Sequence, residues 1–290
     1  MVINKIKFTV VCLFILFVQP IFAQDDDLLG DDASNAGPEY VDFAFKTTKV
    51  VNLQSIEMLA AGVFDFKMNH RFGSINNGAI NAFGLDFATI RFGGEYGINK
   101  NLMAGIGRSN LGDLKNVDAY FKYRILRQVK GNKMPLTAMV FYGIENKIGP
   151  VYNQLEYTNR LTHTAQLIIG KKVSDGFSFQ LSPTVVWGNM FGVTYSNIAL
   201  GIGMRQKLTK RTTMNLEYIP VLTNNDYIQN SLSVGFDIET GGHVFQIHFT
   251  NSKGLNEAQF IANTRETWDT YGIRFGFNLS RVFTIVKPKN

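Results

Sequence analysis

An all-β transmembrane antiparallel up-and-down β-barrel of about 12 strands is the fold class this sequence predicts. Three observations predict it: apolar/polar alternation with period two, long connections alternating with short ones, and basic charge sorted onto the short connections. Composition removes other classes. The 24 Phe and 11 Tyr are too many for a disordered chain. A single cysteine builds neither a disulfide scaffold nor a Cys-ligated zinc site. Only one uninterrupted apolar run occurs, so a polytopic helical membrane protein is excluded.

That run opens the chain. Residues 1–23 have the form of a cleaved secretory signal, with Lys5 and Lys7 before an apolar stretch and Ile21-Phe22-Ala23 before Gln24. The apolar stretch covers 8–18, well short of the roughly 20 residues a spanning helix needs. Cys12 lies inside it, so the mature chain is expected to have no thiol. Residues 24–38 carry five Asp and no basic residue, which reads as an acidic mobile leader. Residues 39–62 alternate only briefly, at Val41-Asp42-Phe43-Ala44-Phe45, and are expected at the periplasmic mouth or in the lumen.

From residue 63 to 283 the alternation is sustained and defines the barrel; 284–290 form a C-terminal tail. In 64–72, Phe64, Phe66, Met68 and Phe72 share one face, while Asp65, Lys67, Asn69 and Arg71 share the other. The pattern recurs at 87–97, 102–108, 117–126, 136–145, 161–170, 177–187, 198–206, 213–218, 231–238, 243–250 and 270–279. The odd-numbered connections between these segments are on average the longer ones, with only the third and fourth breaking the alternation, as in a barrel with long external loops and short periplasmic turns. Residues 251–269 form the longest and are expected to stand outside. The short turns hold nine bases against Asp175 and Glu239, suiting a rim at lipid phosphates. Outer-membrane lipids are thus the expected surroundings. The bases form no concentrated patch, so nucleic acid is not an expected partner.

Several stretches carry a family resemblance: FKTTKV at 45–50, NLQSIE at 52–57, HRFG at 70–73, FGLD at 83–86, RFGGEYGI at 91–98, GIGRS at 105–109 and FKYRILRQ at 121–128. The chain resembles a Bacteroidota family of outer-membrane β-barrel proteins of unknown function (DUF5777). The resemblance implies a barrel in the bacterial outer membrane and brings no activity and no functional residues.

The chain offers little catalytic chemistry. His70 and His163 fall on the outer face, His243 in a turn and His248 on the inner face, with no pair at metal-ligand spacing. A serine two residues after a histidine would share its strand face and could act as a nucleophile; no His-x-Ser occurs, and His248-Phe249-Thr250 is the nearest approach. The chain is expected to be no enzyme and to hold no cofactor or metal. The informative constellation is the lumen. Asp65, Lys67, Arg71, Arg91, Glu95, Asp118, Lys122, Arg124, Glu145, Arg205, Glu217, Asp237 and Arg274 take inward positions. Small inward residues, including Gly105, Gly107, Gly201, Gly203, Ser231 and Ser233, suggest room for water. Two readings stand. One is a narrow channel for small polar solutes. The other is a non-transporting structural or docking barrel with an ionic core, whose basic rim meets envelope partners.

Overall fold

The computed structural model describes residues 38–111, 114–190 and 193–286. The expected signal sequence, the leader through residue 37 and the end of the tail from residue 287 lie outside the described residues.

Twelve strands close into one antiparallel barrel in chain order, with the first paired to the last. They are β1 (Val63–Ser74), β2 (Ala88–Asn99), β3 (Leu102–Leu111), β4 (Leu114–Leu126), β5 (Thr137–Ile148) and β6 (Leu161–Lys172). The others are β7 (Phe177–Met190), β8 (Val193–Lys207), β9 (Thr212–Ile219), β10 (Ser231–Thr240), β11 (His243–Thr250) and β12 (Arg274–Thr284). Closure follows from the solvent. Hydrocarbon supplies no hydrogen bonds, so a spanning sheet must leave no open edge. The seam is the β1–β12 ladder, which runs from Val63 opposite Thr284 to Ser74 opposite Arg274.

Each alternating segment overlaps one strand, but several boundaries move. The last strand begins at Arg274 rather than residue 270, because residues 268–271 form a turn, with Tyr271 N–H donating to Trp268 O at 3.2 Å and Gly272 N–H to Thr267 O at 2.9 Å. β3 and β4 run on until only 112–113 separate them, and β7 and β8 until only 191–192 do. Antiparallel pairing satisfies the backbone well past the apolar band, where Val193-Thr194-Tyr195-Ser196-Asn197 has too few apolar residues to show alternation. Pro183 stands inside β7. The β6–β7 ladder skips the residues around it, between Gln166↔Thr184 and Ile169↔Leu181, since proline has no N–H to give.

Rings collect on the outer wall. His70 stacks on Phe277 at 4.8 Å, and Phe72 on Phe275 at 5.6 Å. Across β5–β7, the Tyr142 hydroxyl lies 2.8 Å from His163 Nδ1, and the His163 ring stacks on Trp187. Phe66 faces outward beside Phe92. At the short-turn end, ion pairs join Lys130 to Glu39 and Lys46 to Glu239, and Lys172 to Asp175 at 3.0 Å.

Two segments fold inside. The first is the finger, residues 44–58. The chain reaches the short-turn mouth at Tyr40, which bridges to Val129. It then turns back at Val51-Asn52, closed by Val50 N to Leu53 O and Ser55 N to Thr48 O, both 2.9 Å. Every residue from 48 to 56 is buried. The second is the β11–β12 connection. It enters from the opposite end, carries the short helix α1 (Glu257–Ala262), and buries Asn256, Phe260 and Ile261. The expectation of an outward-standing loop is therefore corrected for residues 254–262. Their apolar and amide side chains find partners in the lumen, while Arg265, Thr270 and Tyr271 stay exposed at its rim.

Two outcomes are expected. Phe66→Arg on the lipid face should lower folding stability by about 2–4 kcal/mol in a refolding titration, and Phe66→Leu by less than about 1.5 kcal/mol. Equal effects would count against the assigned faces. In intact cells, an impermeant thiol reagent should label Thr270→Cys rapidly, spare Lys210→Cys, and reach Asn256→Cys only slowly because that position is 3% exposed.

Candidate functional site

The site is the lumen and the two segments that fill it. β1, β2, β4, β5, β8, β9, β10 and β12 each turn at least one ionic side chain inward, since alternate positions of a strand share a face. Asp65, Lys67, Arg71, Arg91, Glu95, Asp118, Lys122, Glu145, Arg205, Glu217, Asp237 and Arg274 are all buried; Arg124, nearest the mouth, is partly so.

Some of them pair with the wall. Lys67 Nζ lies 3.1 Å from Asp65 and 3.6 Å from Glu95. Arg91 forks onto Asp118, with Nε 2.9 Å from Oδ2. Asp237 accepts from Asn215 at 2.7 Å, and from Gln246 and Thr213. Others serve the inserted segments. Glu217 accepts the backbone N–H groups of Val51, Asn52 and Leu53 at 3.2, 2.9 and 2.8 Å, and Asn52 Nδ2 at 2.7 Å. A turn presents its N–H groups to one point, and the carboxylate occupies that point. Lys122 Nζ donates to the carbonyls of Ser55 at 3.1 Å and Thr48 at 3.3 Å. Arg205 donates to Ala44 O at 2.8 Å. Glu95 accepts from Thr48 and Tyr120 hydroxyls.

The β11–β12 connection is held likewise. Glu145 accepts from Asn256 Nδ2 at 3.1 Å and Gln259 Nε2 at 2.6 Å. Arg274 Nη2 donates to both carboxylate oxygens of Glu266, each at 2.7 Å. Arg71 touches both segments, donating to Gly254 O at 2.6 Å and to Asn52 Oδ1. Arg124 donates to Lys100 O at 3.3 Å at the mouth and does not join Arg91 in a constriction.

The small inward residues have a different use from the one expected. A methyl group added at Gly201 would come within 2.8 Å of Leu53 Cδ1, and one at Gly203 within 3.1 Å of Val50 Cγ2. Gly105 is covered by Tyr120, and Gly107 by Arg91. They make room for side chains, so the expected water space is corrected. Cavities of about 10 and 20 Å³ remain beside the inserted segments. The smaller is near the minimum that holds one water. A larger cavity of about 180 Å³ opens at the mouth, between Arg124, Arg127, Asp42 and Glu57. Sequence reasoning missed Asn52, Gln54, Asn256, Glu257 and Gln259. The available signal was a cluster of inward glycines with no partner in the strand pattern.

Glu217 generates a test. Glu217→Ala strips four donors of their acceptor, and hydrogen bonds to a charged group contribute about 1.5–3 kcal/mol each. Trypsin should then cut after Lys49 at least roughly a hundredfold faster, equivalent to about 2.7 kcal/mol of finger release. Unchanged resistance, read by mass spectrometry, would remove Glu217 as the anchor.

Among solved structures, the chain is similar to the KdgM porin, with TM-score 0.50, 8% identity, and coverage of 76% of this chain and 99% of that one. The KdgM porin in complex with disordered oligogalacturonate gives the same values. A NanC porin structure in a rhombohedral crystal form is similar at TM-score 0.48 and 11% identity, covering 77% of this chain and 100% of that one. At such identities the likeness shows the fold alone. No curated protein matches the chain. A family model described as a membrane-bound β-barrel domain matches residues 45–283, so it takes in the finger together with the wall. The chain belongs to this membrane-bound β-barrel domain family (DUF5777).

Proposed function

We propose that the protein is an outer-membrane channel for small polar solutes, held shut by its own N-terminal finger. One observation carries this reading. The finger enters and leaves through the same mouth, so it can withdraw as a hairpin without threading the barrel. Its polar hold is a set of hydrogen bonds between Glu217, Lys122, Arg205 and Gln180 and its backbone groups, beside the apolar contacts of Phe45, Val50, Leu53 and Ile56. Bonds to the three charged anchors exchange for water on release, at a net cost of about 1.5–3 kcal/mol each. Withdrawal would bare a wall of Ser182, Ser233, Asn215 and the ionic residues, polar enough to hydrate, with the β11–β12 connection as the remaining obstruction. On this reading the protein is not an enzyme. The second reading, a non-transporting barrel with an ionic core, is favoured by the filled lumen itself.

Conductance separates them. A methyl group at Gly235 would stand 3.1 Å from Val51 Cγ2, so Val51→Cys with Gly235→Cys places two thiols in disulfide range. In planar bilayers, the oxidised pair should be silent and the reduced pair should open intermittently. A chain lacking both residues 38–58 and the inserted residues 254–262 should conduct steadily. A truncated barrel that inserts and stays silent would favour the non-transporting reading.

A further inference from the structure

The two inserted segments come from opposite sides of the membrane and are bonded to each other. Lys49 Nζ, on the finger, lies 3.3 Å from Glu257 Oε1 at the start of α1, and Gln54 Nε2 donates to the same oxygen at 2.9 Å. A third link runs through the wall, where Arg71 donates both to Gly254 O and to Asn52 Oδ1. The groups involved, Lys49, Asn52, Gln54, Arg71, Gly254 and Glu257, are all buried. If the outer segment left alone, Lys49 and one donor of Arg71 would lose their acceptors inside the barrel. A buried charge without a partner is strongly destabilising. Departure of one segment therefore weakens the seat of the other.

We propose that the barrel has a relay function: displacement of the β11–β12 connection at the cell surface loosens the finger, and passes to the chain at the periplasmic mouth. The relay needs no solute to cross and goes beyond the channel reading. Its coupling is reciprocal, as linkage requires, so release of the finger also loosens α1. The exposed rim of the connection, with Arg265 and Tyr271, is the part a surface ligand can reach. The output is the emergence of residues 44–58 at the periplasmic side.

Glu145 and Arg205 make the test clean, because each anchors one segment only. Glu145 bonds Asn256 and Gln259 of the outer connection. Arg205 bonds Ala44 of the finger. Single thiols are placed at Val50→Cys in the finger and Ala258→Cys in α1, both buried positions in a mature chain that has no other thiol. The full-length mature protein is refolded in micelles, its barrel verified by heat-shifted gel migration, and its maleimide labelling rates are measured. Glu145→Ala should raise labelling at position 50 about tenfold or more, although it touches no finger residue. Arg205→Ala should do the same at position 258. Glu257→Ala, which cuts the direct link, should raise labelling at position 50. Rates at position 50 within twofold of the parent in both Glu145→Ala and Glu257→Ala would overturn the relay. So would a response of each thiol only to its own segment's anchor. Because these readouts are accessibilities, they stand apart from the conductance that tests the channel.

Discussion

A carboxylate sealed inside a closed β-wall must find donors, and Glu217 finds them in a turn of its own chain. Three backbone N–H groups and the Asn52 amide converge on it. The arrangement satisfies both sides at once. The tip of a hairpin has N–H groups that no strand neighbour takes, and a buried anion has lone pairs that no water reaches. Much of the interior repeats that exchange. Lys122 and Arg205 donate to finger carbonyls, Gln180 both accepts from and donates to the finger backbone, and Gln246, Asn215 and Asn278 donate to the carbonyls of Val50 and Val51. The wall acts as the pairing partner that a short hairpin would otherwise lack.

Packing supports the same geometry. Leu53 and Val50 press against positions where the wall has no side chain, Gly201 and Gly203. Together with Phe45 and Ile56 they join Met139, Ile168, Phe260 and Ile261 in one apolar cluster inside the barrel. A membrane barrel gains nothing from turning these residues outward to form a core elsewhere. Lipid is as apolar as they are, so the lumen is the place where their burial is driven by water exclusion. The finger is consequently fastened by both apolar contact and hydrogen bonds, while its two arms still leave by one mouth.

The dynamics follow from where the bonds go. The strands are locked by ladders on both sides, and the closed order leaves no edge to fray. The inserted segments are held by a finite set of side-chain bonds, several shared between them through Arg71 and Glu257. Opening, whether for solute or for signal, draws on this second, weaker set and spares the first.

The alternation of Phe64, Phe66 and Met68 with Asp65, Lys67 and Asn69 was enough to set the faces, because each strand obeys its own period whatever its neighbours do. Strand number, closure and the inward direction of Glu145 or Asp237 were legible for the same reason. Residues 39–62 were expected at the mouth or in the lumen, but the partners that seat them, and the inward turn of the β11–β12 connection, were not legible. Asn52 meets Glu217 across 165 residues, and Lys49 meets Glu257 across 208, through no local periodicity. The glycines of β8 looked like space for water, and only the position of Leu53 showed them to be a seat. The sequence by itself determined the wall, since a two-residue period and a hydrocarbon solvent leave one closed solution. Tertiary structure alone decided how the plug is seated, because the partners of a buried charge are chosen by distance in space.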